Sequence, residues 1–596
     1  MIFRKWYTPI LLTLIAFGTL APAHYSDNKF GSLLKERITK LTPDKKELVW
    51  IFFKDKGPDV SLSKSNTFQL TEKALQRRAK VRNPGHLIDE KDLPVSRQYV
   101  DAVKATGMSI RNTSNWLNAV SLWATRQQLE ELSGLGFVQR IDLVARFPMK
   151  RDAVERESTA LLDILRKPSL QVIDSGFYGY SYSQLKQLKV PEVHQLGFYG
   201  QGVTIAVFDN GFRLLSHEAL GMNIIDTYDF VDKKVSVVPV HPADAGSPPD
   251  WGGHGVNTLS VLGGFEKDKL IGPAYKSGFI LARTENDSSE TPFEEDNWIA
   301  AMEWAEGLGA DIISSSLGYL EMTGSRSYDW TWMNGDSTVI TKAANIGVGM
   351  GLVIVNSAGN EYSNISHNTL GAPADGDSVI AVGAVDASGI RAAFSSVGPT
   401  TLGRIKPDVM ARGYAVAAAS STNSTGYVLV DGTSFSCPLT AGVCALILCA
   451  HPGLSPAQVR WALKMTANNA DNPDNLYGYG VIDAFAAANY FGITGVPDTT
   501  QVPPQDILYQ NTSNPFSDIT TIRYDVANAG NVRIVIYNVL GQQVKKLVDR
   551  YHAVQSGYTA VWNGKDAHGN AVSSGMYFYR LEVNKFSKTK KMLLIR

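Results

Sequence analysis

The chain has 596 residues, well above the roughly 100 to 200 of a usual domain, so we expect two to four domains and a large core in at least one of them. Lys plus Arg and Asp plus Glu both number 57, and the formal net charge is zero. Such a chain has no global field that would attract a polyanion or an anionic membrane, and this excludes nucleic acid as an expected partner.

Residues 1–23 have the pattern of an export signal. Arg4 and Lys5 precede an apolar run, and Ala21-Pro22-Ala23 then fits the small-x-small rule for signal cleavage. A membrane anchor is the alternative, but the run is shorter than the ~20 apolar residues that a spanning helix needs. We therefore expect export and a mature chain that begins near His24.

Residues 47–148 have the pattern of a small α/β domain. Strands are predicted at ELVWIFF and WLNAVSLWA, helices at LTEKALQRRAKV and SRQYVDAVKATG, and a helix followed by a strand at RQQLEELSGLGFVQRID. The charged run RDAVERES follows, and we expect residues 151–177 to be an exposed linker that is open to proteolysis.

Between residues 178 and 495, short apolar strands alternate with helices. The predicted strands are VTIAVFD, SGFILART, ADIISSSLG, GLVIVNSAGN and SVIAVGAVD, and each ends in a polar or Gly-rich turn. This alternation predicts a parallel sheet with helices on both faces. Functional residues in such sheets gather at the carboxyl ends of the strands, where this sequence places its polar residues.

Two of these polar positions suggest an acid–histidine pair. Asp209 ends an apolar strand, where its carboxylate could orient a histidine, although an Asp-Asn-Gly sequence after a strand is often only a turn. His254 lies among glycines that allow other backbones to approach closely. A lone histidine among ten is more often a surface or core residue, so neither position is informative alone.

The segment from Gly432 to Pro438 leads into an apolar helix, which places Ser434 at the positive end of a helix dipole. The alternative role for this serine is a helix cap. Asn360 follows another strand, where its amide could donate to an oxyanion or could simply form a turn. Ser316-Leu317-Gly318, at a further strand end, suits the pairing of an extended peptide as an added strand.

The three cysteines of the chain, Cys437, Cys444 and Cys449, all lie in this apolar helix. A rise of ~1.5 Å per residue keeps Cys437 and Cys444 ~10 Å apart, too far for a disulfide. We therefore expect buried free thiols, without a disulfide framework or metal ligation.

Residues 496–505 are rich in Pro and Thr and are predicted to be a linker. Residues 506–596 then alternate with period two, as in TIRYDV, VRIVIYNV, YTAVWNG and MYFYRLEV. This pattern predicts an all-β, Ig-like sandwich.

Taken together, the four chemical positions resemble the subtilisin family of serine peptidases, whose order Asp, His, Asn, Ser is matched by Asp209, His254, Asn360 and Ser434. The motifs Gly-Thr-Ser-x-x-x-Pro, Ser-Leu-Gly and Ala-Gly-Asn are intact. The resemblance implies a secreted serine endopeptidase that forms an acyl-enzyme, needs no cofactor for its chemistry and acts on proteins or peptides. In this family the first, second and last of these positions are the catalytic triad and the asparagine is an oxyanion donor.

The sequence departs from the family at two positions. The usual Asp-Ser/Thr-Gly is Asp209-Asn210-Gly211, and the usual His-Gly-Thr is His254-Gly255-Val256. We therefore expect the packing beneath the aspartate and the histidine to differ. An inactive subtilisin-like scaffold that acts as a cell-surface binding protein is the alternative, because a fold alone does not guarantee chemistry.

The flanking regions resemble two known modules. Residues 47–148 are similar to the inhibitory propeptide of the family, which implies that residues 24–150 are a propeptide and a partner of the catalytic domain. Residues 506–596 resemble the sorting domains of the type IX secretion pathway, through Asn514-Pro515-Phe516, VRIVIYNVLGQQV, Ser574-Gly575-Met576-Tyr577 and a basic end. The alternative for this module is a carbohydrate-binding or spacer Ig-like domain.

A structural calcium site is a weaker expectation. Subtilisin-like enzymes often bind calcium, and Asp329, Asn334 and Asp336 lie close together in the sequence. Their spacing matches no defined calcium-loop motif, so the metal ligands stay unassigned at this stage.

Overall fold

A computed structural model of the chain describes residues 27–61, 70–144, 146–147, 175–239, 252–285, 293–318, 320, 328–362, 367–492, 506–511, 514–526, 530–552, 555–584 and 586–595. The chain divides into two compact units, Met1–Phe68 with Ile88–Val144, and Gln69–Leu87 with Ala145–Arg596. The expected export signal, most of the first linker and the second linker lie outside the described residues.

The first unit contains an antiparallel sheet of order β2-β3-β1-β4. All strands and helices that were predicted between residues 47 and 148 are present, and α1, β2 and β5 are additional. Two of the N-terminal elements, α2 and β5, belong to the second unit. The elements of this range are α1 (Ser32–Ile38), β1 (Lys46–Phe53), α2 (Glu72–Arg78), α3 (Arg97–Ala105), β2 (Ile110–Ser114), β3 (Ala119–Thr125), α4 (Arg126–Gly134), β4 (Val138–Leu143) and β5 (Arg146–Phe147).

The main part of the second unit follows the predicted alternation of strands and helices. Its elements are α5 (Ser175–Tyr178), α6 (Tyr182–Gln187), α7 (Val190–Gln195), β6 (Thr204–Asp209), β7 (Asn223–Asp229), α8 (Gly253–Gly263), β8 (Phe265–Glu266), β9 (Leu270–Ile271), β10 (Gly278–Arg283), β11 (Phe293–Glu294), α9 (Glu295–Leu308), β12 (Ile312–Ser315), α10 (Val339–Gly349), β13 (Val353–Ser357), β14 (Ile380–Val385), β15 (Val409–Arg412), β16 (Val416–Ala419), β17 (Tyr427–Val430), α11 (Thr433–Ala450), α12 (Pro456–Thr466) and α13 (Ala484–Asn489).

A seven-stranded sheet of order β15-β14-β13-β12-β6-β10-β7 organises this part, and every neighbouring pair in it is parallel. All residues of β6 and β14 are buried, as expected for strands that are covered on both sides. The five predicted strands are confirmed. The edge strands β7 and β15 were not predicted.

Helices cover both faces of this sheet, as predicted. Successive residues of a strand point to opposite faces. In β6, Ile205 and Val207 belong to the core cluster that includes α11. The ring of the next residue, Phe208, instead packs edge-on against Trp298 of α9, with 5.8 Å between ring centroids.

Helix α11 is the central helix of the core. Its length and its mean hydropathy of 1.7 would allow it to cross a membrane, but 94% of it is buried inside the protein, as in the core helix of a globular domain. All three cysteines are free; Cys437 and Cys444 are buried and Cys449 is half-buried. The prediction of free thiols is confirmed, although one of them is only partly covered.

The C-terminal residues form the predicted all-β module. Two antiparallel sheets, of order β18-β19-β22 and β21-β20-β23-β24, share one apolar core. Trp562 and Tyr577, one from each sheet, meet there with 5.1 Å between ring centroids. The strands are β18 (Ile507–Leu508), β19 (Thr520–Val526), β20 (Gly530–Tyr537), β21 (Gln543–His552), β22 (Gln555–Trp562), β23 (Gly575–Val583) and β24 (Phe586–Leu594).

Candidate active site

Asp209 ends β6 at the carboxyl edge of the sheet and is fully buried. Its Oδ1 atom accepts hydrogen bonds from His254 Nδ1 at 2.7 Å and from the Asn210 backbone N–H at 2.8 Å. Its Oδ2 atom accepts a hydrogen bond from Thr258 Oγ1 at 2.8 Å. Both carboxylate oxygens are therefore held by donors, and the predicted aspartate and histidine are brought together.

His254 is the second residue of α8, and Thr258 lies one helical turn further on the same face. The Asn210 side chain accepts a hydrogen bond from the Gly255 N–H at 3.2 Å, which fastens the start of α8 to the end of β6. A Cβ atom at Gly255 would collide with the Gly211 carbonyl oxygen, so only glycine permits this close approach.

Ser434 is the second residue of α11 and is 6% exposed. Its Oγ atom donates to the Ser316 carbonyl oxygen at 3.4 Å, while Ser316 Oγ donates to the Ser434 carbonyl oxygen at 2.7 Å. The next residue, Phe435, has its ring centroid 5.7 Å from that of His254. The start of α11 therefore lies beside the histidine.

Asn360 follows β13 and faces the same helix start. Its Oδ1 atom accepts hydrogen bonds from both the backbone N–H and the hydroxyl of Thr433, each at 2.9 Å. Its Nδ2 atom lies 3.6 Å from the position that a Cβ atom at Gly432 would occupy. The side-chain amide is thus fixed beside the residues that precede Ser434.

The Ser316-Leu317-Gly318 segment continues beyond the end of β12. The Leu317 carbonyl oxygen accepts a hydrogen bond from Asn356 Nδ2 at 2.7 Å. A Cβ atom at Gly318 would approach the Gly371 Cα atom at 3.9 Å, an ordinary van der Waals distance. This segment therefore lies at the same edge of the sheet as Ser434, with its backbone held from the neighbouring strand β13.

Cys437 lies one turn after Ser434 on α11, and its Sγ atom donates to the carbonyl oxygens of Ser315 and Val355 at 3.4 Å. Burial raises the pKa of Cys437 to about 12. The thiol is therefore neutral at ordinary pH and is a poor nucleophile, because the thiolate is the reactive form.

Two residues that were not predicted from the sequence, Thr258 and Asn356, complete this arrangement together with Thr433 of the Gly-Thr-Ser motif. Thr258 binds Asp209, Thr433 orients Asn360, and Asn356 holds the Leu317 backbone. Thr258 had a usable signal, since it lies four positions after His254 and therefore on the same face of the predicted helix.

Two of the residues considered for calcium take part in local hydrogen bonds. Asp329 Oδ1 accepts from the backbone N–H and the hydroxyl of Thr331, and Asn334 Oδ1 accepts from the N–H groups of Asp336 and Ser337. These oxygens cap local turns. Within the described ranges, no group of three or more His, Cys, Asp or Glu side chains could hold a metal ion.

Comparison with known families agrees with this geometry. Residues 200–480 match the subtilase family, residues 48–159 match the peptidase S8 propeptide domain of Bacteroidota, and residues 506–595 match the type IX secretion signal domain. The fold and the family matches define a serine-type endopeptidase that is secreted or attached to the cell surface. The chain belongs to the subtilase family.

Individual relatives match about half of the chain. Subtilisin NAT of Bacillus subtilis subsp. natto is 32% identical over 343 residues, which are 56% of this chain and 80% of that protein. Subtilisin DY of Bacillus licheniformis is 32% identical over 302 residues, 50% of this chain and 96% of that protein. The crystal structure of MycP1 with its N-terminal propeptide removed matches with 25% identity and a TM-score of 0.42, covering 53% of this chain and 98% of that one.

Proposed function

We propose that Ser434, His254 and Asp209 are the catalytic triad of this peptidase. Asp209 accepts the Nδ1 proton of His254, which leaves Nε2 as the basic nitrogen. That nitrogen takes the hydroxyl proton of Ser434 as the serine oxygen attacks the substrate carbonyl, and then delivers the proton to the leaving amine. Water hydrolyses the acyl-enzyme by the same proton route in reverse.

The negative charge of the tetrahedral intermediate needs donors at the start of α11. The first N–H groups of a helix have no partner within the helix, and the helix dipole favours negative charge there. Asn360 adds a side-chain amide that Thr433 holds in place on its carbonyl side. We assign Asn360 as the oxyanion donor.

The observation that supports this mechanism best is the 2.7 Å hydrogen bond between a fully buried carboxylate and His254, beside the start of the helix that carries Ser434. A fluorophosphonate probe tests it, because only an activated serine reacts with the probe. We expect labelling of the mature wild-type enzyme and none of Ser434→Ala. Absence of labelling in folded wild-type protein would favour the inactive surface-binding scaffold.

Substrate binding is proposed along Ser316-Leu317-Gly318, where an extended peptide can add as a strand. The propeptide range supplies a related contact, since Arg146–Phe147 pairs antiparallel with Phe293–Glu294, immediately before α9. This pairing supports the proposal that residues 24–150 are an inhibitory propeptide whose C-terminal end occupies a peptide-binding strand. Cleavage in the proposed linker 151–177 would break the covalent connection between the propeptide and the catalytic domain, residues 178–495.

The remaining domain assignments are proposals as well, and a family match supports the last of them. Residues 1–23 are proposed as the signal peptide, 496–505 as a linker, and 506–596 as the sorting domain that the type IX secretion machinery recognises. The proposed partners are therefore protein or peptide substrates, the enzyme's own propeptide and that machinery.

A further inference from the structure

One short part of the propeptide range folds with the second unit. Residues Gln69–Leu87 lie inside the range that matches the propeptide domain, yet they group with Ala145–Arg596. The described part of this segment carries α2, whose N-cap Thr71 accepts a hydrogen bond from the Ala74 N–H at 3.2 Å. We call Gln69–Leu87 the anchor segment.

Two arginines of the anchor segment share one buried carboxylate. Arg77, Arg78 and Glu306 are each no more than 1% exposed. Arg78 binds both oxygens of Glu306, through Nε and Nη2 at 2.8 Å each, while Arg77 Nη2 contacts Glu306 Oε1. A forked guanidinium–carboxylate pair of this kind is geometrically specific, and lysine cannot reproduce it.

The positive charge of Arg77 is also balanced by carbonyl groups at the C-terminal ends of two helices. Arg77 Nε donates to the Met350 carbonyl oxygen at 3.2 Å, just after the end of α10, and Arg77 Nη1 donates to the Ala310 carbonyl oxygen, just after the end of α9. The C-terminal end of a helix carries partial negative charge. Glu306 and these carbonyl groups together form a site that suits guanidinium groups.

The backbone and side chains around this site make further close contacts with the anchor segment. Gly351 has a φ of +92°, and a Cβ atom there would lie 2.8 Å from the Arg77 carbonyl oxygen. The Thr71 N–H donates to the Gly307 carbonyl oxygen at 3.0 Å. Lys73 Nζ pairs with Asp311 Oδ2 at 2.9 Å and donates to Thr204 Oγ1 at 2.5 Å.

These contacts lie at the edge of the sheet opposite the candidate active site. Thr204 begins β6 and Asp209 ends it, so the two residues are about 17 Å apart along the strand. Strand β5 pairs with β11, the strand that precedes α9. The anchor segment instead binds at the C-terminal end of α9, about 20 Å away, because this helix has 14 residues. The propeptide range therefore contacts both ends of α9.

We propose that Glu306 and the C-terminal ends of α9 and α10 form a guanidinium-binding site that retains the propeptide through Arg77 and Arg78 after the linker has been cut. This inference rests on the proposed role of residues 24–150 as a cleaved propeptide. Because both contacts lie on one chain, binding at one of them raises the effective concentration of the propeptide at the other. Inhibition then persists after the first cleavage, and full activity requires loss of the anchor segment.

The test uses the full chain with Ser434→Ala, so that its outcome does not depend on catalysis, with the recognition sequence of a site-specific protease in place of residues 152–157. After cleavage, gel filtration and the dissociation kinetics of the propeptide are compared for the parent, Arg77→Met/Arg78→Met and Glu306→Gln. The control is Arg97→Met, which removes a propeptide cation whose side chain is 90% exposed.

We expect the cut propeptide to co-elute with the parent and with Arg97→Met. Removing one side of a buried, hydrogen-bonded charge pair should weaken retention by about 100-fold or more in the other variants. Unchanged retention in Glu306→Gln or in the double variant would overturn the proposal, even if the precursor melts at a lower temperature. If the double variant does not fold, Glu306→Gln alone decides. Lack of peptidase activity in the wild type would refute the proposed function but would not change this result.

Discussion

At the scale of single residues, side chains near the departures from the subtilisin pattern make hydrogen bonds at the candidate site. Asn210 uses its side chain to hold the Gly255 N–H, and Thr258 donates a hydroxyl to Asp209 Oδ2. The Asp209 carboxylate is fully buried, where each missing donor is costly. We therefore infer that Thr258 is a positioning residue for the aspartate.

Replacement of Thr258 by valine should lower both stability and turnover. Valine keeps the shape but removes the donor to Asp209, and a hydrogen bond to a charged group contributes about 1.5–3 kcal/mol to the free energy of unfolding. We expect kcat to fall by about tenfold, which corresponds to 1.4 kcal/mol in the barrier, as the carboxylate loses its fixed orientation. Thr258→Ser is the matched control and should keep kcat within about twofold of the wild type. Equal kcat values for the two variants would refute the positioning role.

Substitution of Asn360 tests the oxyanion assignment. The proposed donor acts on charge that exists only in the transition state, so its loss should lower kcat and leave KM unchanged. The expected loss is about 10²- to 10³-fold, the magnitude known for such a donor in a subtilisin.

Two variants separate this role from that of Thr433. Asn360→Ala removes both the donor and the acceptor of the Thr433 hydrogen bonds, whereas Asn360→Asp keeps an acceptor oxygen for Thr433. Thermal melts should therefore show a larger loss of stability in Asn360→Ala, while kcat is low in both. Wild-type kcat in either folded variant would rule out the oxyanion role.

At the scale of elements, His194 joins the short helix α7 to the core. It is 4% exposed, and its Nε2 atom donates to the Pro273 carbonyl oxygen at 2.8 Å while Nδ1 accepts from the Tyr178 hydroxyl at 3.0 Å. Both bonds suit a neutral ring. Burial lowers the pKa of His194 to about 4, despite the opposing effect of the Pro273 carbonyl.

This pKa predicts loss of stability on acidification. An unfolded histidine has a pKa near 6.5, so between pH 6.5 and pH 4 the unfolded chain binds a proton that the folded chain does not. The contribution of the neutral His194 ring to the free energy of unfolding is complete above pH 6.5. As the pH falls to 4, this contribution of about 3 kcal/mol is lost. Urea unfolding at pH 7 and pH 4.5, in a Ser434→Ala background that prevents self-digestion, measures it. The difference in unfolding free energy between His194 and His194→Gln chains should shrink at the lower pH, and a constant difference would contradict the prediction.

At the scale of the whole molecule, separate apolar cores support a modular organisation. The core around α11 contains residues between Tyr178 and Ala488, and the core of the C-terminal module contains residues between Leu508 and Leu594, with no residue in common. Each core contains enough apolar residues to form without the other core. The catalytic domain should therefore fold without the module.

Deletion of residues 506–596 should leave a folded and active peptidase that is retained in the periplasm. The reason is that the module is proposed to serve outer-membrane passage and makes no part of the candidate active site. Cell fractionation and peptidase assays of the truncated chain check this, with the full chain as control. Surface delivery of the truncated chain would refute the sorting role, and a purified truncation without activity would show that catalysis depends on the module.

Much of this arrangement could be predicted from local sequence. The five buried strands and α11 carry continuous apolar runs; Asp209 ends one of these strands and Asn360 follows another, whereas Ser434 lies at the start of α11. Asp209 and Asn360 were therefore expected at the carboxyl edge of the sheet and Ser434 at a helix N-terminus, and the structure places them there. Their catalytic roles stay predictions until the variants are measured.

Other features depend on contacts between residues that are distant along the chain. Thr258 could not be assigned to Asp209 before the packing of α8 against β6 was known, because the two residues are 49 positions apart. Arg77 and Glu306 are 229 positions apart, and nothing in the helical pattern of α2 indicates that its arginines are buried. Periodicity determines which elements form, whereas the partner of a buried charge is decided by the tertiary structure, since a buried charge is tolerated only where the fold provides its counter-charge.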